Sequence, residues 1–309
     1  MPASANVAVV IPTLRRPKLV RRALASVLAQ THRTLDVIVV VDGPDDETMA
    51  ALAGVADPRL RVIVNERSLG AAAARNLGVA HADAEWIAFL DDDDSWLPRK
   101  LERQVALAQL TGTALISCLS EVVTPNGTYV WPETIYDNRV PLDEYLFGRP
   151  GTFMGAAFIQ TSSYFMPRVL FEASPFRADT AHDDWDFLLR LTKQLKLRIE
   201  TVPEVLVRHY AEEERPSLTR AEGWRQSLAW LDQTRALLTP VGYSGICLGV
   251  VGSRAANAHA YGAFFPLLAR AIRHGSPHPW QLMAYIAFWV LPQTLRRRLR
   301  AAFRGQGLG

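Results

Sequence analysis

A chain of 309 residues, 49% of them apolar and 21% charged, can bury a sizeable core as one large domain or two ordinary ones. Five of the 34 basic residues (Arg296, Arg297, Arg298, Arg300, Arg304) crowd the C-terminus, leaving 29 against 31 acidic residues elsewhere. Basic residues confined to one tail without interleaved aromatics argue against nucleic-acid binding. The two cysteines, Cys118 and Cys247, sit in apolar settings with no metal-ligand spacing, which argues against zinc and a disulfide framework.

Residues 1–6 lack the basic region of a secretory signal, so a cytoplasmic location is expected. The continuous apolar run 7–11 reads as a first strand ended by Pro12-Thr13, and Pro17 opens a helix through Leu28 with apolar residues at helical spacing. Strand 35–41 ends on Asp42-Gly43-Pro44. A helix over 45–52, a strand over 60–64, an alanine-rich helix over 70–80 and a strand over 86–90 follow. This alternation predicts a mostly parallel, doubly wound α/β sheet whose ligands sit at the carboxyl ends of its strands. Thr13, Arg15, Asp42, Asn65, Arg67 and Asp91 to Asp94 all fall at those ends.

Asp91-Asp92-Asp93-Asp94 directly follows the fourth strand. Adjacent like charges repel, and a hard divalent cation, Mg²⁺ or Mn²⁺, with oxygen ligands and a bound phosphate is the simplest neutraliser. The alternative is a solvated turn in which Asp93 or Asp94 caps a helix starting near Trp96-Leu97-Pro98. Neither a G-x-G-x-x-G after the first strand nor a G-x-x-x-x-G-K-[ST] occurs, which weakens dehydrogenase and P-loop readings. Asn126-Gly127 predicts a hairpin, and residues 151–167 are rich in aromatics.

From about Thr219 helical patterns take over, at 224–238, 255–274 and 280–291, separated by Pro240-Val241-Gly242 and Gly275-Ser276-Pro277. The last is too short to span a bilayer. With its arginine tail it fits either a membrane-surface contact or packing on the core or a partner.

Several motifs in order carry a family resemblance. Val10-Ile11-Pro12-Thr13-Leu14-Arg15-Arg16-Pro17, the strand end Val41-Asp42-Gly43, the Gly70-x4-Arg75-Asn76-x-Gly78 helix, Phe89-Leu90-Asp91-Asp92-Asp93-Asp94 and His182-Asp183-Asp184-Trp185 together resemble the family 2 glycosyltransferases of GT-A fold. The resemblance covers about residues 6–220. It implies a catalytic domain over 1–218 and does not define the helical C-terminal region over 219–309, which is expected from its pattern to dock on the catalytic domain, a partner or the membrane face.

Position by position, the resemblance implies that Thr13 and Asp42 hold the nucleobase of a nucleotide-sugar donor, with Pro12 and Arg15 also on the donor. Arg75 supports the base or the aspartate rim, Asp91 and Asp92 serve the donor and its ribose, and Asp93 takes the metal, with His209 a further candidate for the metal or diphosphate. Asp184 matches the catalytic base. Asp183 stands where the family usually has glutamate, Trp185 can stack on the acceptor, and the aromatic-rich residues 151–167 are expected to form the acceptor-side floor. The chain departs also at Val41, where a second aspartate is common, leaving Asp42 alone on the base edge.

The function so implied is a Mn²⁺- or Mg²⁺-dependent inverting transfer of a sugar, from a UDP-sugar for preference, to a hydroxyl of a glycan or lipid-linked acceptor. Polysaccharide biosynthesis at the inner face of the cell membrane is the setting. Two rivals are a nucleotidyltransferase, which would usually show a glycine- and lysine-rich loop after strand one, and a non-catalytic nucleotide-sugar-binding scaffold.

Overall fold

The computed structural model describes residues 6–112, 114–125, 127–148, 157–211, 223–291 and 295. The chain divides into two compact units. The first comprises Met1–Asp137 and Phe158–Glu214, the second Asn138–Ala157 and Arg215–Gly309.

In the first unit, β1 (Val7–Thr13), α1 (Pro17–Leu28), β2 (Leu35–Val41), α2 (Asp46–Ala53), β3 (Leu60–Val64), α3 (Ala71–Ala80) and β4 (Trp86–Phe89) reproduce the expected alternation. Their strands pair in parallel in the order β3-β2-β1-β4. β1 is buried throughout, and β2 at every position but Asp36, which is why both read as unbroken apolar runs. One face is covered by α1 and α2, where Val20, Ala23, Leu24, Val27 and Leu52 meet Val9, Ile11, Val37 and Val39. On α3 a Cβ at Gly78 would collide with the Val10 side chain, so glycine there lets the helix lie close on β1.

The second half of the sheet is mixed. β5 (Asp94–Trp96), α4 (Lys100–Thr111), β6 (Leu115–Thr124), β7 (Gly127–Trp131), β8 (Phe165–Pro167), α6 (Arg168–Ala173), α7 (Asp183–Lys193) and β9 (Ile199–Tyr210) complete the unit, α5 being part of the second. The nine-stranded sheet continues β4-β8-β6-β9-β5, with β7 paired to β6. β6 and β7 form the expected hairpin; Asn126 itself lies outside the described residues. β8 runs antiparallel to β4, β5 antiparallel to β9, and β9 parallel to β6.

This order forces the sheet to curl. Three strands separate β4 from β5, so a flat sheet would set them about 19 Å apart. Leu90 to Asp93 is the whole connection, with a reach of at most about 18 Å if extended. It is not extended, because the Asp94 amide donates to the Asp91 carbonyl at 3.1 Å. The acidic run is therefore the link across which the curled sheet nearly closes on itself. This corrects the expectation of a helix near residues 96–98 capped by Asp93 or Asp94. Asp94 to Trp96 pair with His209 to Val207 as strand, and α4 starts only at Lys100.

On the other face of the sheet Phe89, Phe171, Phe176, Phe187 and Tyr164 form a contiguous aromatic core with ring centroids 4.3–6.0 Å apart. Phe187 anchors α7 there and so fixes where that helix begins.

The second unit contains α5 (Leu142–Phe147), α8 (Trp224–Gln233) and α9 (Pro240–Gly245), which continues through a π-helical stretch (Ile246–Val251) into α10 (Gly252–Asn257). α11 (Phe264–His274) and α12 (Pro279–Val290) follow. The 240–242 segment does not separate helices as its composition suggests. Thr239 Oγ1 accepts the Gly242 amide at 3.1 Å and Pro240 takes the first turn, so a helix begins there. The helix expected over 255–274 is in turn broken, because the chain leaves α10 at Asn257 and His259 adopts a left-handed conformation with φ 53°. Glycines on the α9–α10 helix permit close packing: a Cβ at Gly242 would strike Asp143, at Gly245 the Phe147 carbonyl, and at Gly252 the Tyr285 ring. The arginine cluster 296–304 lies outside the described residues, as do residues 151–156 of the 151–167 floor. No described helix is long and apolar enough to cross a membrane.

Candidate active site

Arg75 joins the carboxyl end of β4 to the N-terminus of α7, and the carboxyl ends of β1 and β2 lie beside that of β4 in the sheet order. Thr13 ends β1, and its Oγ1 donates to Asp92 Oδ2 at 2.8 Å. Arg16 Nη1 donates to Asp92 Oδ1 at 2.9 Å and reaches Asp93 Oδ2 at 3.3 Å, while Arg22 Nη2 holds the Asp93 carbonyl at 2.7 Å. Burial pushes the Asp92 carboxyl above its ordinary range, although Arg16 and Thr13 pull the other way. Two predicted residues, Thr13 and Asp92, are thus in direct contact. Arg15 is exposed, with a left-handed backbone (φ 54°) whose amide donates to Asp45 Oδ2 at 2.6 Å. Of the two neighbouring arginines it is Arg16, which sequence reasoning passed over, whose guanidinium meets the acidic run.

Asp42 ends the next strand and is buried. It accepts from Asn65 Nδ2 and Ser68 Oγ at 2.8 Å each, from the Gly70 amide at 2.8 Å and from the Leu69 amide at 3.0 Å. Burial works to raise its pKa, but these bonds to the ionised form outweigh it and the net shift is downward. Asp42 is therefore a fixed anion around which residues 65–70 are wrapped.

Arg75, on α3 and buried, joins the two acidic motifs. Nη2 donates to Asp91 Oδ1 at 2.6 Å and Nη1 to Asp183 Oδ2 at 3.1 Å. Burial alone would disfavour its charge, yet the two carboxylates hold it firmly protonated. Asp184 beside it accepts from the Trp185 amide at 2.8 Å. Its carboxyl is pushed up to about 7, by burial first and by the charge of Asp183 second. His182, left-handed with φ 59°, precedes α7 and stacks on Trp185 with centroids 4.5 Å apart. One face of Trp185 is thus already occupied by an imidazole.

Asp91, Asp93 and Asp94 each place a carboxylate oxygen within 4.8 Å of the others'. Asp94, absent from the sequence-based assignment, is the most firmly held. It is fully buried, and Gln160 Nε2 and Ser162 Oγ donate to its Oδ2 at 2.6 Å each. His209 Nδ1 lies 2.9 Å from its Oδ1, so the structure brings His209 to the cluster through Asp94. Ser162 Oγ also accepts the Asp91 amide at 3.1 Å, and the Trp96 indole donates to the Ser162 carbonyl at 2.8 Å. Gln160 and Ser162 carry no local motif that would have marked them. Three hard oxygen donors at such spacing suit a divalent cation such as Mg²⁺ or Mn²⁺, and among the described residues this is the group of acids and histidines that meets the spacing.

A family profile described as "Glycosyl transferase family 2" matches residues 8–171, more than half of the chain. An Escherichia coli protein, "UDP-Glc:alpha-D-GlcNAc-diphosphoundecaprenol beta-1,3-glucosyltransferase WfgD", is 30% identical over 137 residues, 43% of this chain and 54% of that protein. The chain thus spans about half the length of that relative. The "Amylovoran biosynthesis glycosyltransferase AmsB" of Erwinia amylovora is 28% identical over 244 residues, covering 75% of this chain and 78% of that one. The structure of "Mannosyltransferase PcManGT from Pyrobaculum calidifontis in complex with GDP-Man and Mn2+" superposes with a TM-score of 0.59 at 21% identity, over 97% of this chain and 85% of its own. The chain has a GT-A fold with C-terminal helices, and it belongs to glycosyltransferase family 2.

Proposed function

We propose that the protein is a divalent-metal-dependent, inverting glycosyltransferase that moves a sugar from a nucleoside diphosphate, a UDP-sugar for preference, to a hydroxyl of a glycan or lipid-linked acceptor. The observation that carries this reading is the Asp91–Arg75–Asp183 bridge, which ties the carboxylate cluster to the candidate base in one site. Asp91, Asp93 and Asp94 would hold the cation, with His209 behind Asp94. When bound, such a cation supplies Lewis-acid stabilisation to a leaving diphosphate.

The remaining chemistry belongs to the chain. Asp184, with its pKa raised toward neutrality, accepts the proton of the acceptor hydroxyl as that oxygen attacks the anomeric carbon from the face opposite the diphosphate, which inverts the configuration. Asp42, by fixing the 65–70 rim, shapes the nucleobase side with Pro12, Thr13 and Arg15, and Asp92 addresses the ribose. Trp185 offers an aromatic edge to the acceptor.

The relatives' names, one with a diphosphoundecaprenol-linked acceptor and one in amylovoran biosynthesis, support a lipid-linked glycan or polysaccharide as the acceptor, and the inner membrane face as the place of work belongs to the same proposal. The test is a calorimetric titration of a panel of nucleotide sugars with and without Mn²⁺. One donor should bind the wild type and Asp184→Ala only with metal and should not bind Asp93→Ala. Failure of every donor to bind would sink the proposal.

A further inference from the structure

Charge is partitioned sharply along the chain. Residues 224–309 carry ten arginines and a single acid, Asp232, a net +9, whereas the preceding 223 residues carry 24 basic and 30 acidic side chains, a net −6. Asp232 is itself paired with Arg270. His274 at the C-terminal end of α11 sits below the ordinary imidazole range, through desolvation first and then through the charges of Arg235, Arg273 and Arg270.

The same helices expose large apolar side chains. On α11 Phe265 is 76% and Ile272 60% exposed, and on α12 Met283 is 65%, Ile286 51% and Val290 71% exposed. Phe265 and Ile272 stand seven residues apart, and 283, 286 and 290 follow the i, i+3, i+7 spacing, so each set shares one helix face. Other faces already make the internal contacts. Leu267 and Ala271 on α11, and Gln281, Tyr285 and Phe288 on α12, are buried, and Tyr285 Oη donates to the Phe264 carbonyl at 2.7 Å. An apolar stripe left outside a completed core needs a second apolar phase.

We infer that these exposed faces seat the protein on an anionic bilayer. Phe265, Ile272, Met283, Ile286 and Val290 enter the boundary between headgroups and acyl chains, and Arg273 at the end of α11 binds lipid phosphates. The contact is interfacial, since no described helix is long and apolar enough to cross. A second copy of the chain is the poorer occupant, because it would bring another strongly cationic region against the first. The inference does not depend on the donor or the reaction.

The experiment sediments the full chain with vesicles of phosphatidylcholine alone and of phosphatidylcholine mixed with phosphatidylglycerol. The wild type should sediment with the anionic vesicles only, and be released by high salt. Met283→Asp/Ile286→Asp and Phe265→Asp/Ile272→Asp should each weaken binding about tenfold or more, and Arg273→Glu several-fold, with unchanged thermal melts. Equal sedimentation of wild type and variants overturns the inference. So does a wild type that ignores both vesicles, or one that light scattering shows as a dimer converted to monomers by the same substitutions. Donor titration without vesicles reads the active site separately.

Discussion

Removing the Arg75 guanidinium would strand Asp91, Asp183 and Asp184 together without their shared cation. Breaking a buried pair from one side costs about 3–5 kcal/mol, so Arg75→Met should lower the free energy of unfolding by that order in urea titration. Asp184 gives a second outcome. Its carboxyl is pushed up to about 7 by burial and by Asp183, and a base works only when deprotonated. The value of kcat/KM should therefore fall as pH drops through about 7. Asp183→Asn, by removing the neighbouring negative charge, should move that limb to lower pH in a pH–rate profile. Asp184→Asn should lose about 10²–10⁴ in kcat with donor affinity retained. In the sequence the Asp183-Asp184 pair and the Asp91 to Asp94 run were visible as separate motifs. Their union through Arg75 was not, because it spans 108 residues to Asp183 and depends on how α3 packs.

At the scale of elements, β1 to β4 and α1 to α3 were legible because continuous apolar runs, Pro17 and helical spacing of apolar residues mark them locally. β5 was not. Its three residues are strand only because β9 arrives from more than a hundred residues away to pair with them. The α9 start was misread for the opposite reason: Pro and Gly usually punctuate, but after a capping Thr239 they open a helix and let α5 approach. The buried Gln104 on α4 shows what such long-range assembly rests on. It accepts from Lys100 Nζ at 2.8 Å and donates to the Ile116 and Ser163 carbonyls at 2.9 and 2.7 Å, which pins the 161–163 turn beneath Asp94. Gln104→Leu should cost about 2–4 kcal/mol in stability and weaken metal-dependent donor binding, read by chemical denaturation and calorimetry.

For the whole molecule, Lys100 makes stability depend on pH. Burial lowers its pKa from 10.5 to about 7, while its cation rests on the Trp96 ring 3.8 Å away. Between those two values the unfolded chain binds the proton and the folded one does not, so stability rises with pH across that window and is flat below it. Lys100→Met should flatten the difference between melts taken at pH 7 and 9.

The curl of the sheet also has a consequence for biosynthesis. Asp94 acquires its partners Gln160, Ser162 and His209, and β5 its strand neighbour, only from sequence made after the first four strands. A nascent chain halted near residue 150 would hold β1 to β4 and the whole acidic run, yet leave the carboxylates without the shell that fixes them. Competence to bind a donor is then withheld until about two-thirds of the polypeptide has left the ribosome, and truncated products are silent rather than leaky.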